Sequence, residues 1–89
     1  MNKDDRKQLK EAYDLIDKAQ GLIYDAQCII EDLKDQEREK FDNMPEGLQE
    51  SERGQQLEEN ADQLEDLFDT IEEVNDSIND LMIHDAFDL

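Results

Sequence analysis

The sequence predicts an all-α chain, two long antiparallel helices forming a coiled-coil-like hairpin that pairs with a second copy into a four-helix bundle. Three observations predict it. Apolar residues recur every seven positions through each half, one strong turn signal separates the halves, and bulky groups are too few for a large globular core. The 89 residues include no Trp, two Tyr and three Phe, with 40% charged against 36% hydrophobic. High charge with few aromatics is also the composition of disordered segments, but the regular spacing of the apolar residues argues for order. One domain, residues 1–89, fits this length.

The first element is a helix over about residues 4–42. Leu15-Ile16 then Ala19, Leu22-Ile23 then Ala26, and Ile29-Ile30 then Leu33 trace a heptad with apolar residues at g, a and d. Leu9 and Ala12 extend the phase backward, whereas Glu37 and Lys40 occupy the next a and d slots. The packed part therefore ends before the helix does. Ala12, Ala19 and Ala26 make a small-residue edge that admits a close neighbour, and Leu15, Leu22 and Ile29 form a second apolar edge beside it. A stripe this wide calls for more than one neighbouring helix. Tyr24 and Cys28, four apart, fall on an outward face.

The turn is expected over about 43–50. Pro45 bars a helical conformation at Met44, Gly47 is the residue best able to take positive φ, and Pro45 can open a short extra turn before Ser51 caps the next helix. Gly21 and Gly54 each cost about 1 kcal/mol inside a helix. Of the two, Gly21 is read as an exposed, tolerated glycine or a point of close backbone approach.

The second long helix is expected over about 51–82. Leu57, Leu64, Ile71 and Ile78 stand at a, with Leu67, Val74 and Leu81 at d and Phe68 and Met82 alongside. Asn60 fills the first d slot, either as a partly solvated position near the turn or as a register-setting polar pair. An acidic tail, 83–89, leaves the heptad and reads as a frayed end or a short docking segment. The expected core and oligomer seam thus comprises Leu15, Ile16, Ala19, Leu22, Ile23, Ala26, Ile29 and Ile30, with Leu64, Leu67, Phe68, Ile71, Val74, Ile78 and Leu81 opposite. A two-helix hairpin buries one seam only, so a homodimer is expected to complete the core.

Charge is distributed unevenly. Residues 1–45 hold 12 acids and 8 bases, net −4, while residues 46–89 hold 15 acids and one base, Arg53, net −14. Glu58, Glu59, Asp62, Glu65, Asp66, Asp69, Glu72, Glu73, Asp76 and Asp80 fall at outward b, c and f positions of the second helix. Pairs such as Asp62 with Asp66 or Asp69 with Glu73 are like charges at i,i+4, which cost roughly 0.2–0.5 kcal/mol each. Two readings follow: a solubilising face, or a row of carboxylates that imitates a nucleic-acid backbone and fills the phosphate-binding groove of another protein. Ten acids between 58 and 80 span about 33 Å at ~1.5 Å per residue, roughly half the charge density of duplex DNA.

The same composition bounds the chemistry. A net charge of −18 makes DNA, RNA and anionic membranes poor direct partners and basic proteins natural ones. One cysteine allows no internal disulfide, and no apolar run has the length of a signal peptide or membrane span, so a cytoplasmic protein is expected. His84 is the only histidine, and Ser51, Thr70 and Ser77 have no base nearby in sequence, so no catalytic site is expected. No cofactor or metal site is expected either, since the Asp-x-Asp-x-Asp-Gly calcium loop is absent and straight helices splay their acids apart. Gln63-Leu64-Glu65-Asp66-Leu67-Phe68 loosely resembles the peptide that docks on bacterial sliding clamps, but it has an extra residue and its apolar members are needed for packing.

The stretch from Glu37 to Gly54 carries a more specific resemblance. Asn43, Pro45, Glu46, Leu48, Gln49, Ser51, Glu52, Arg53 and Gly54 match the Asn-x-Pro-Glu-x-Leu-Gln-x-Ser-Glu-Arg-Gly turn of a group of small acidic phage- and prophage-encoded helical proteins of unassigned function. The resemblance implies a phage setting and, if so, a host bacterial cytoplasm. Small acidic phage proteins commonly block host defence, such as CRISPR or restriction, or replication and transcription enzymes, some by DNA mimicry. The sequence expectation is thus a non-enzymatic inhibitor or modulator of a host nucleic-acid-binding protein. The alternatives are a structural coiled-coil assembly protein and an acidic chaperone for basic proteins.

Overall fold

The structure, a computed structural model, describes residues 1–83 and is all α. Helix α1 spans Lys3–Asp42, α2 Glu46–Gln49 and α3 Glu52–Ile83. The segment from residue 84 onward, with His84 and the docking sequence considered there, lies outside the described residues. The shape is a rod of 68 × 16 × 16 Å, as a 40-residue helix of about 60 Å requires. No described helix is long and apolar enough to cross a membrane.

Local chemistry sets each boundary. Asn2 is extended and its Oδ1 accepts from the Asp5 N–H at 2.8 Å, while Asp4 and Asp5 sit at the positive end of the α1 dipole. At the other end the Asn43 N–H donates to the Glu39 carbonyl at 3.0 Å and the Met44 N–H to that of Phe41 at 3.1 Å. Pro45 then redirects the chain with ψ 145°. It stands just before α2, whose Leu48 and Gln49 N–H groups donate to the Pro45 carbonyl at 2.8 and 3.1 Å. Gly47 is helical within α2 with open space around it, so the positive φ expected of it is not used.

Ser51 caps α3 as its position suggests. Its Oγ accepts from the Gly54 N–H at 3.3 Å and its hydroxyl donates to the Leu48 carbonyl. Gly54 is where backbones meet. A Cβ there would lie 2.6 Å from the Leu48 carbonyl oxygen and closer still to that of Gln49, whereas a Cβ on Gly21 would meet nothing within 4 Å. The Gln49 side chain fastens α2 to the end of α1 by donating to the Phe41 carbonyl at 3.0 Å.

Helices α1 and α3 contact one another along their length. Gln20 Nε2 donates to Asn79 Oδ1 at 2.6 Å, Asn75 Nδ2 to Gln27 Oε1 at 3.2 Å, and Asn60 Nδ2 to Glu37 Oε2 at 3.3 Å. Between these, Lys34 Nζ sits 5.2 Å from the centre of the Phe68 ring. Partner numbers on α3 fall as those on α1 rise. Asn60 accordingly makes a polar pair across the helices.

The seam within one chain uses part of the expected heptad. Of the predicted core residues, Ile16, Ile23 and Ile30 of α1 and Leu64, Phe68, Ile71 and Ile78 of α3 are half-buried. Leu15, Ala19, Leu22, Ala26 and Ile29, with Leu67, Val74 and Leu81, are exposed. The second row of the α1 seam is instead Tyr13, Gln20, Gln27, Lys34 and Phe41, one residue past the alanine row. The substitution is physically tolerable because these polar side chains find partners across the interface or reach solvent. It leaves little core. Leu57 and Ala61 are the only buried apolar residues among those described, joined by buried Gln27, and Asn75 Oδ1 is buried without a partner.

Candidate protein-binding surfaces

The seam divides the rod's surface into two flanks of opposite character. Each residue that follows the Ile16 row lies on the first: Asp17 and Tyr24 of α1 share a groove of about 460 Å³ with Glu72 and Asn79 of α3. Each residue that precedes the Gln20 row lies on the second: Ala12 of α1 shares a smaller groove, about 210 Å³, with Leu81 of α3. Tyr24 and Cys28 are both exposed, as their outward positions suggest.

All ten acids predicted as a partner-binding face are exposed, from Glu58 to Asp80. They occupy the first flank and the back of α3. Among the described residues one base pairs with any of them: Arg38 Nη2 lies 2.6 Å from Glu65 Oε2 and 3.6 Å from Asp62 Oδ1. Exposed pairs of this kind contribute about 0–1 kcal/mol, so a stronger cationic surface can displace Arg38. Asp66, Asp69, Glu72, Glu73, Asp76 and Asp80 have no intramolecular counterion among the described residues. They form an unneutralised line of about 21 Å at ~1.5 Å per residue.

Sequence reasoning placed these acids but missed Arg38, whose role depends on α3 passing beside it. It also missed the polar seam residues Gln20, Gln27 and Asn75, because no apolar signal marks them.

The titration of Glu37 is displaced. The Lys40 ammonium, 3.0 Å from Glu37 Oε1, and the Asn60 amide both hydrogen-bond its charged form and hold its pKa below the usual carboxylate value. The site is a cross-helix tie near the turn.

Gln63 is exposed, Leu64 and Phe68 are half-buried in the seam and Leu67 is exposed, so the clamp-like segment presents its apolar residues on two different sides. Among the described residues no group of three or more His, Cys, Asp or Glu side chains is arranged to hold a metal ion. Comparison with family models, with curated proteins and with solved structures gives no match to this chain.

Proposed function

We propose that the chain is a non-enzymatic, phage-encoded binding protein, an antiparallel hairpin whose α3 carboxylates dock on the basic, nucleic-acid-binding surface of a host protein in the bacterial cytoplasm. The target class is a defence system such as CRISPR or restriction, or a replication or transcription enzyme. The hairpin is supported by the falling order of α3 partners along α1. The function rests on one observation: ten exposed acids follow one another along a single straight helix, and one arginine is their whole intramolecular neutralisation among the described residues.

Such a row is expensive to keep. Like charges at i,i+4 weaken the free helix, and the loss is recovered only when a cationic groove takes their place beside it. A rigid helix also spaces its charges without the entropy loss that a flexible acidic tail would suffer on binding. The phage setting comes from the turn signature at Asn43–Gly54.

The test is capture from host lysate at near-physiological salt, comparing the unaltered chain with Glu65→Lys/Asp66→Lys and Glu72→Lys/Glu73→Lys. The expected result is a small set of nucleic-acid-binding proteins that the variants lose while keeping their helicity. Unchanged capture by both variants removes the reading. A structural coiled-coil role is the second reading, favoured by the exposed leucines and isoleucine of α1. An acidic chaperone differs from both in binding many basic proteins and releasing them at moderate salt.

A further inference from the structure

The second flank, formed by α1 and α3 on the side away from Asp17, Tyr24 and Glu72, carries no charge at all. On α1 its positions are 12, 15, 19, 22, 26, 29, 33 and 36, and on α3 they are 56, 60, 63, 67, 70, 74, 77 and 81. At the chain-wide 40%, about six of these sixteen would be charged; they are Ala, Leu, Ile and Val with Gln, Asn, Thr and Ser. Its apolar members are open in the single chain. Leu15 is 65%, Leu22 71% and Ile29 61% exposed, and across the seam Leu67, Val74 and Leu81 are nearly half exposed. Ala12 and Leu81 line one apolar groove there, showing that the α1 and α3 rows belong to one surface.

We infer that this flank is where a second copy of the chain docks, face to face, to make a four-helix bundle; the inference rests on the hairpin proposed above and locates its dimer interface. Charge selects the occupant. Two copies at −18 each repel through every surface that carries acids. This flank is where like-charged copies can meet without bringing carboxylates together. A basic partner gains nothing from it, because it offers no counterion.

Size agrees. The flank runs about 32 Å from Ala12 to Leu33 at ~1.5 Å per residue, on a rod 16 Å across. That is roughly 500 Å² per copy and about 1,000 Å² for the pair, before side-chain relief adds to it, which reaches the lower bound for a specific interface. The alanine edge lets the facing helices approach closely while Leu15, Leu22 and Ile29 fill the space beside it. The dimer also supplies the core the single chain lacks, with two buried apolar residues among those described. Both α3 carboxylate rows stay on the outside, doubling the acidic surface that a partner meets.

Sedimentation equilibrium of the full chain, from low to high micromolar, is expected to give twice the 10.5 kDa chain mass. Leu22→Glu/Ile29→Glu should weaken the dimer at least about a hundredfold, whereas Tyr24→Glu on the opposite flank should leave it intact. A folded 10.5 kDa species throughout, or a double variant that still pairs, overturns the inference. Should the double variant not fold, the unaltered chain decides: its Tm must rise with protein concentration, and a constant Tm overturns the proposal. Salt provides a further check, since pairing through an uncharged flank strengthens or holds as NaCl rises from about 0.05 M to about 0.5 M, and pairing that weakens overturns it. Glu65→Lys/Asp66→Lys should keep the dimeric mass whatever it does to partner capture, so the two readings fail separately.

Discussion

Replacing Gly54 by Ala, beside the same change at Gly21, tests how α2 packs against the start of α3. On helix propensity alone both substitutions stabilise, by up to about 1 kcal/mol each. At Gly21 nothing opposes the gain, because the added methyl points into open space. At Gly54 the methyl would sit 2.6 Å from the Leu48 carbonyl oxygen, and nearer to that of Gln49. Relief to an ordinary contact requires the last turn of α2 to retreat by an ångström or more. Gln49 resists that movement through its bond to Phe41, and Ser51 resists it through its bonds to Leu48 and Gly54. Forced insertion of a methyl into fixed backbone costs about 1–3 kcal/mol, so after the propensity gain Gly54→Ala should be net destabilising by up to about 2 kcal/mol. In a chain of this length, ~1 kcal/mol moves Tm by about 4–8 °C. Thermal melts followed by far-ultraviolet circular dichroism, at one protein concentration and one salt, should show Gly21→Ala rising and Gly54→Ala falling. A rise at both positions would mean that α2 does not pass over Gly54.

Three further outcomes follow from the seam and its caps. Gln27→Leu strands the Asn75 amide beside an oxygen that already lacks a partner, and should cost about 1–3 kcal/mol, while Gln27→Leu/Asn75→Leu should recover most of it; urea midpoints of these two, Asn75→Leu and the unaltered chain measure the coupling. Ser51→Ala removes the α3 cap and should lower stability by about 1 kcal/mol in the same assay. Glu37 holds its proton less tightly folded than unfolded, so its contribution is present above the ordinary carboxylate range and is lost as pH falls through the folded value. The stability gap between the unaltered chain and Glu37→Gln should therefore close on acidification; a gap that widens in acid refutes the assigned ties to Lys40 and Asn60.

The acidic row carries a wider consequence for conditions of study. With −18 net charge the free chain is under self-repulsion that salt screens, whereas any electrostatic complex with a basic protein weakens in the same salt. Low ionic strength favours capture of a basic partner and high ionic strength favours the folded chain.

What the sequence determined by itself was local. The heptads of Leu15–Leu33 and Leu57–Leu81, the Pro45 signal and the Ser51 cap specified long helices, their approximate ends and the break between them, because these depend on neighbours a few residues away. The ten acids of α3 were legible for the same reason: outward positions on a helix follow from its period. Tertiary structure decided which part of a wide apolar stripe would meet the other helix. Leu15, Ala19 and Leu22 are as apolar as Ile16 and Ile23, so periodicity could not choose between two neighbouring faces. The choice rests on cross-helix partners for Gln20, Gln27 and Glu37, which no local pattern reveals, and on α2 crossing Gly54, a contact between backbones that a glycine permits and a sequence does not announce. By turning polar residues inward, the fold left an uncharged apolar flank facing out.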